Sequence, residues 1–235
     1  MKKGIWQQDH KEHTELYGDS FIESKNFTLD VDQNIIDNHM IPFWNSRGGK
    51  CDIYEFGVYT GGSLRDTIKK LKHNQINPNM VWGFDSFEGL PTETEGMATE
   101  GKHWNEGAFS TCDALNIWDW SELERKLLET INSDNVKLVK GFYENTLTDE
   151  LISESEFKPA MFVNIDVDLY RSTIEVLEWL FKNKLVEVGT VIRYDDVLFV
   201  PETTGELQAH KEICEKYSVT CNRLDTKYFV VTEIK

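Results

Sequence analysis

The chain has 235 residues, with 25 Lys+Arg against 41 Asp+Glu, a net charge of −16 with His neutral. At 40% apolar and 12% aromatic residues it can bury a core, which excludes wholesale disorder, and its length suits one α/β domain with additions. So acidic a surface repels phosphates, which excludes nucleic acid and anionic membranes as main partners. No apolar run of about 18 residues marks a membrane span, and the opening Met-Lys-Lys-Gly-Ile-Trp-Gln-Gln-Asp-His lacks the apolar core of a secretion signal, so a cytoplasmic location is expected. Cys51, Cys112, Cys214 and Cys221 are scattered without C-x-x-C or ligand spacing and read as reduced thiols, so zinc is not expected.

Residues 1–28 are polar with weak periodicity, and Leu29–Trp44 reads as helical. Residues 1–46 are therefore expected to form an N-terminal helical extension or lid ahead of one domain over 47–235. Candidate strands follow at Cys51–Phe56, Met80–Asp85, Val136–Val139, Ala160–Asp166 and Gly189–Tyr194, each short and rich in Val, Ile, Phe or Tyr. Between them lie a helix near Leu64–Lys72 and another over Trp120–Ile131, with Leu123, Leu127, Leu128 and Ile131 on one side. A third, Ser172–Lys182, turns Ile174, Leu177 and Leu180/Phe181 inward. Residues 86–118 form a long connection rich in Gly, Thr and Glu and holding His103, Trp104 and Phe109. Loops of that length in a compact domain are usually lids or binding loops, so this one is expected to face substrate. At the end, Val219–Arg223 and Lys227–Ile234 are separated only by Leu224-Asp225-Thr226, too short for a parallel crossover. The fold class expected is α/β: a mostly parallel sheet of right-handed βαβ units with helices on both faces, finished by an antiparallel hairpin.

The first strand runs into Glu55-Phe56-Gly57-Val58-Tyr59-Thr60-Gly61-Gly62-Ser63. Glycines at a strand-to-helix turn permit positive φ and let a ligand approach the backbone. The spacing is neither G-x-G-x-x-G, since Val58 and Tyr59 follow Gly57, nor a P-loop, since Gly62-Ser63-Leu64 lacks the lysine. Glu55 disfavours a phosphate here but not an ammonium. The second strand ends in Gly83-Phe84-Asp85, and an acid at that tip suits the two hydroxyls of a ribose. Together these signals favour an adenosine-type cofactor without a diphosphate, S-adenosylmethionine, over the dinucleotide of an oxidoreductase.

Asp166 and Asp168 stand at one strand end and Asp195-Asp196 at the next, where α/β sheets bind ligands. Two carboxylates about 4 Å apart repel by about 4 kcal/mol at an effective dielectric near 20, so four of them need protonation, separation or a cation. An all-oxygen set without His or Cys suits Mg²⁺, Mn²⁺ or Ca²⁺. Asp195 and Asp196 can share one ion only if the backbone turns between them, because successive strand residues point to opposite faces.

Glu55–Tyr59 with Gly61-Gly62-Ser63, Gly83–Pro91, Gly141–Leu147, Asp166-Val167-Asp168-Leu169-Tyr170 with Ser172-Thr173, and Asp195-Asp196 resemble, in order, the macrocin O-methyltransferase family of class I methyltransferases. The resemblance covers roughly residues 50–215 and implies the seven-stranded methyltransferase sheet. By it, Asp85 holds the ribose, Gly57 and Gly61 line the methionine part, and Phe142-Tyr143 sit near the adenine. The implied cofactor-contacting set is Glu55, Gly57, Tyr59, Thr60, Gly61, Ser63, Asp85, Ser86, Gly141, Phe142, Tyr143 and Asp166. Asp166, Asp195 and Asp196 are implied metal ligands and Asp168 the general base. The implied reaction methylates a small-molecule hydroxyl, on a sugar of a glycosylated metabolite. A non-catalytic cofactor- or metal-binding relative is the alternative, and self-association is left open.

Two features depart from the family pattern. Arg193-Tyr194 replaces an apolar pair, and a charge in a buried strand needs a partner, expected to be structural. Val197-Leu198-Phe199-Val200-Pro201 departs from the usual loop after the Asp pair, and Gly205-Glu206 opens the next helix. Of the six histidines, only His103, beside Trp104 in the long loop, is a candidate to test for substrate contact, and the other five read as surface residues.

Overall fold

The computed structural model describes residues 31–99, 104–198 and 201–235. The polar segment 1–28 and His103 lie outside the described residues. Seven strands form one sheet: β1 (Asp52–Phe56), β2 (Val81–Asp85), β3 (Val136–Lys140), β4 (Ala160–Ile165), β5 (Val191–Tyr194), β6 (Val219–Arg223) and β7 (Tyr228–Ile234). Their spatial order is β3-β2-β1-β4-β5-β7-β6. The first five run parallel, and β7 returns antiparallel to β5 and pairs with β6 as the expected hairpin.

β1, β4 and β5 are buried at every position, as central strands covered on both faces must be. Alternation along β1 sends Tyr54 and Phe56 to one core, with Phe84, Trp179 and Tyr194, and Ile53 to the other, with Leu64, Met161 and Phe162. The helices are α2 (Gly62–His73), α3 (Thr111–Leu115), α4 (Trp120–Ile131), α5 (Tyr143–Thr146), α6 (Asp149–Glu154), α7 (Tyr170–Lys182) and α8 (Gly205–Tyr217). None is long and apolar enough to cross a membrane.

Ahead of them, a stretch we call α1 runs as Gln33–Ile35, a π-helical segment Ile36–Met40, and Ile41–Ser46. The widening has a local cause. Pro42 has no N–H to continue an i→i−4 ladder, and the Ile41 amide reaches back to the Ile36 carbonyl instead. α1 buries Ile35, Ile36, Met40 and Phe43 in the second core, so this part of the N-terminal region is a wall of the domain.

The register positions the site. Phe56 pairs with Phe84 and with Ile165, and Ile165 pairs with Tyr194. The next residues, Gly57, Asp85, Asp166 and Asp195, therefore emerge side by side at the carboxyl edge of four adjacent strands. The order in which successive strands are added reverses between β1 and β4, the topological switch point where open α/β sheets form their crevice.

Candidate active site

One cavity opens at that edge. Its walls come from the turn after β1 (Gly57, Tyr59, Ser63), the tips of β2 and β3 (Asp85, Gly141, Phe142) and the acids after β4 and β5. It encloses about 1290 Å³ between protein atoms, mouth included.

Gly57 cannot be replaced at this turn. Its φ is +85°, and a Cβ would stand 1.8 Å from the Asp166 carbonyl oxygen. The absent side chain lets the β1 turn and the β4 end touch. Asp85 holds the same turn from the other side: one carboxylate oxygen accepts from the Val58 and Tyr59 amides, both at 2.8 Å, and the other from the Phe87 amide at 2.6 Å. Burial raises the Asp85 carboxyl and those amides oppose the rise. Asp85 thus shapes the turn while keeping lone pairs for a ligand, because a carboxylate offers about four acceptor positions.

Thr60, Ser86 and Tyr143 also line the cavity. The Ser86 hydroxyl donates to the Gly89 carbonyl, and the Tyr143 hydroxyl donates to the Phe84 carbonyl at 3.2 Å. Two residues of the expected cofactor set do not line it. Gly61 is the left-handed N-cap of α2 and packs toward Ile131. Glu55 lies beneath the turn, 1% exposed.

Glu55 belongs to a polar row that crosses the sheet under the site. Ser63 donates to it at 2.7 Å and the Asn164 side-chain amide at 3.2 Å. Arg193 donates to Asn164 Oδ1 at 2.7 Å and pairs with Asp195, which Lys227 also meets at 2.7 Å. The Arg193 guanidinium thus finds the structural partners its burial demands. Burial alone would raise the Asp195 carboxyl, but Arg193 and Lys227 more than offset it and hold it below the usual carboxylate range.

Asp166 and Asp168 face other acids more than cations. β5 stops at Tyr194 and a 3₁₀ turn, Asp196–Leu198, begins at once, so Asp195 and Asp196 are no longer on opposite faces. One carboxylate oxygen from each of Asp166, Asp195 and Asp196 falls within 4.8 Å of the others. Asp168 sits at φ +62° and also faces the cavity. Burial, joined by Asp195 and Asp196, pushes the Asp166 carboxyl well above the usual range; burial with Asp196 and Asp166 does the same to Asp168.

Glu206 completes the group. It is 2% exposed at the start of α8 and accepts from the Asp196 amide at 3.0 Å and the Val167 amide at 3.4 Å. It thus fixes the backbones carrying both acid pairs. The sequence marked it only as the helix opening after the Asp pair. Asn164 carried a plainer signal, an amide inside an otherwise apolar central strand. Glu93 was not anticipated: it accepts from the Tyr170 and Arg171 amides at 2.8 and 3.0 Å, tying the 86–118 connection to the start of α7. That connection contributes Leu90, Pro91, Trp104 and Phe109 to the cavity, and Tyr59 meets Phe109 edge-on at 6.5 Å.

Comparison with known proteins agrees with this geometry. The family model described as macrocin-O-methyltransferase (TylF) matches residues 44–226. Demethyldecarbamoylnovobiocin O-methyltransferase of Streptomyces niveus is 25% identical over 170 residues, 70% of this chain and 61% of that protein. The chain thus spans about six-tenths of the length of that relative. The O-methyltransferase NovP is similar in structure with a TM-score of 0.60 at 22% identity, over 86% of this chain and 79% of that one. The calicheamicin methyltransferase CalS11 has a TM-score of 0.59 at 16% identity, over 98% and 94%. At such identities the two structures speak for the shared class I methyltransferase fold. With the family model matched across most of its length, the chain belongs to the macrocin-O-methyltransferase (TylF) family.

Proposed function

We propose that this chain is an S-adenosylmethionine-dependent O-methyltransferase that methylates a hydroxyl on a sugar of a small glycosylated molecule, with a divalent cation assisting. The observation that carries the reading is the strand register, which sets the glycine turn, Asp85 and the acids after β4 and β5 around one cavity. Family membership supports the reaction class and the acceptor class.

The residues fit both groups. The Gly57 turn brings bare backbone to the cavity, Asp85 retains acceptor capacity at its rim, and Phe142 adds an apolar wall, as an adenosine with an amino-acid tail requires. S-adenosylmethionine supplies a methyl carbon made electrophilic by its sulfonium. Asp166, Asp195 and Asp196 offer one oxygen each within 4.8 Å of one another, an all-oxygen set that would hold a hard divalent ion. A divalent ion there would make an adjacent hydroxyl more acidic.

With a cation held beside it to favour its ionised form, Asp168 would take the proton of the acceptor hydroxyl as the methyl carbon leaves sulfur for that oxygen, the C–S pair returning to sulfur. Arg193 and Lys227 hold Asp195 ionised and fixed, and Glu206 fixes the backbone of Asp196. Tyr59, Trp104 and Phe109 give the apolar walls a sugar ring packs against and exclude water from the methyl group. Calorimetric titration with S-adenosylhomocysteine, followed by labelled methyl transfer to a panel of glycosides with and without chelator, tests the proposal. Binding and chelator-sensitive product are expected. No detectable binding overturns it, and binding without product on any acceptor favours a non-catalytic relative.

A further inference from the structure

A second cluster lies away from the cavity, where α8 meets the C-terminal hairpin. His210 and Cys214 are four residues apart on one face of α8, and Ser218 ends that helix in the left-handed conformation. The chain then turns directly into β6, whose third residue is Cys221. Two cysteines seven positions apart and a histidine expected at the surface are thus brought together. Cys214 Sγ stands 3.9 Å from Cys221 Sγ and 3.6 Å from His210 Nε2, and one atom from each residue falls within 4.8 Å of the others.

These separations decide between chemistries. A disulfide requires about 2.05 Å between sulfurs. A tetrahedral ion with Zn–S bonds of about 2.3 Å and Zn–N of about 2.0–2.1 Å requires S···S near about 3.8 Å and S···N near about 3.6 Å. Cys214 stands at the second pair of distances from Cys221 and His210, with Cys221 and His210 within 4.8 Å of each other. The imidazole is also oriented for the task. It lies 4.6 Å from the Phe229 ring and meets Tyr194 edge-on, and its Nδ1 is 2.8 Å from the Tyr194 hydroxyl, which leaves Nε2 toward the sulfurs. Metal-bound histidines commonly have the other ring nitrogen held in this way. Two thiolates and a neutral imidazole balance a 2+ charge, and the shallow depression beside Lys211 and Thr220 leaves room for a water as fourth ligand.

We propose that His210, Cys214 and Cys221 form a Zn²⁺ site that clamps the last helix to the C-terminal hairpin, independent of the acids in the cavity. The test uses the full chain, reduced and stripped with chelator, titrated with Zn²⁺ alone against a chromophoric competitor. We expect one equivalent bound with a Kd of about 10⁻⁷ M or tighter. Cys214→Ser and Cys221→Ser should each weaken it by about 100-fold or more, while Asp195→Asn leaves it unchanged. Co²⁺ bound to the unaltered chain should give the intense visible bands of a tetrahedral thiolate site, a readout that does not depend on any variant folding. Absence of those bands overturns the proposal. So does Zn²⁺ affinity that survives both serine substitutions, or a Cys214–Cys221 disulfide whose reduction brings no Zn²⁺ binding.

Discussion

Asp52 and Asp166 are acids at opposite ends of the same sheet, one opening β1 and the other following β4. Asp52 is fully buried and surrounded by donors: the Asn79 side chain and Met80 amide at 3.0 Å, and the Trp82 indole and Lys158 amide at 2.9 Å. It ties the start of β1 to the entry of β2 and to the approach to β4 at the amino edge. Asp166 has no side-chain donor among the described residues and faces Asp195, Asp196 and Glu55 instead. One residue type thus does opposite work. Where donors converge on a carboxylate it holds the fold, and where carboxylates converge on each other the fold must hold them.

Asp166→Asn attacks the cavity side of that contrast and, on the proposed function, carries the largest expected effect. Methyl transfer should fall on the order of 10³-fold or more, measured under saturating cofactor. Thermal unfolding should move upward or not at all, because the change relieves like-charge repulsion. Asp52→Ala attacks the other side. It orphans the buried Trp82 indole and takes the shared acceptor from the Asn79, Met80 and Lys158 donors, so denaturant unfolding should show a loss of about 4 kcal/mol, with turnover per folded molecule within twofold of the unaltered chain. If Asp52→Ala were neutral in stability, or Asp166→Asn strongly destabilising, the division between the two ends would fail.

Arg193→Met tests the link between them, since Arg193 is buried yet reaches toward the site. Its removal leaves Asn164 short of a donor and Asp195 dependent on Lys227 alone. We expect a loss of about 3 kcal/mol in unfolding free energy, the scale of breaking a buried ion pair. Turnover should fall too, and a loss in stability without a loss in turnover would show that Asp195 needs only Lys227.

The contrast also explains what was legible in the sequence. The central strands were readable because a strand covered on both faces is a near-continuous apolar run, as in Ala160–Ile165. The hairpin followed from a gap too short for a crossover. The cavity acids were readable because Asp166, Asp168, Asp195 and Asp196 end apolar runs, where side chains must face the crevice. The row from Ser63 through Glu55 and Asn164 to Arg193 was not readable, because it joins β1, β4 and β5 and exists only once their register is set. For the same reason His210, expected at the surface, is found against Tyr194 and Phe229, and Cys214 meets Cys221 across a helix end. Glu93 capping α7 across 77 positions leaves no local trace.

The smallest expected effect belongs to Glu55, which sits under the glycine turn between the two kinds of acid. It has the donors Ser63 and Asn164, yet burial outweighs them together with Arg193 and raises its carboxyl to about 7. A carboxyl raised in the folded state binds its proton more tightly there than in the unfolded chain, so stability falls as pH climbs from about 4.5 to about 7 and stays low above it. That difference is about 3 kcal/mol at most. In Glu55→Gln, the amide oxygen can accept from Asn164 and the amide nitrogen can donate to the Ser63 oxygen. Denaturant unfolding should therefore find Glu55→Gln more stable than the unaltered chain by at most about 3 kcal/mol at pH 8, the excess vanishing below about pH 4.5. An advantage independent of pH would mean that Glu55 stays ionised beneath the turn, held by Arg193 through Asn164, and would place it with the donor-rich acids such as Asp52.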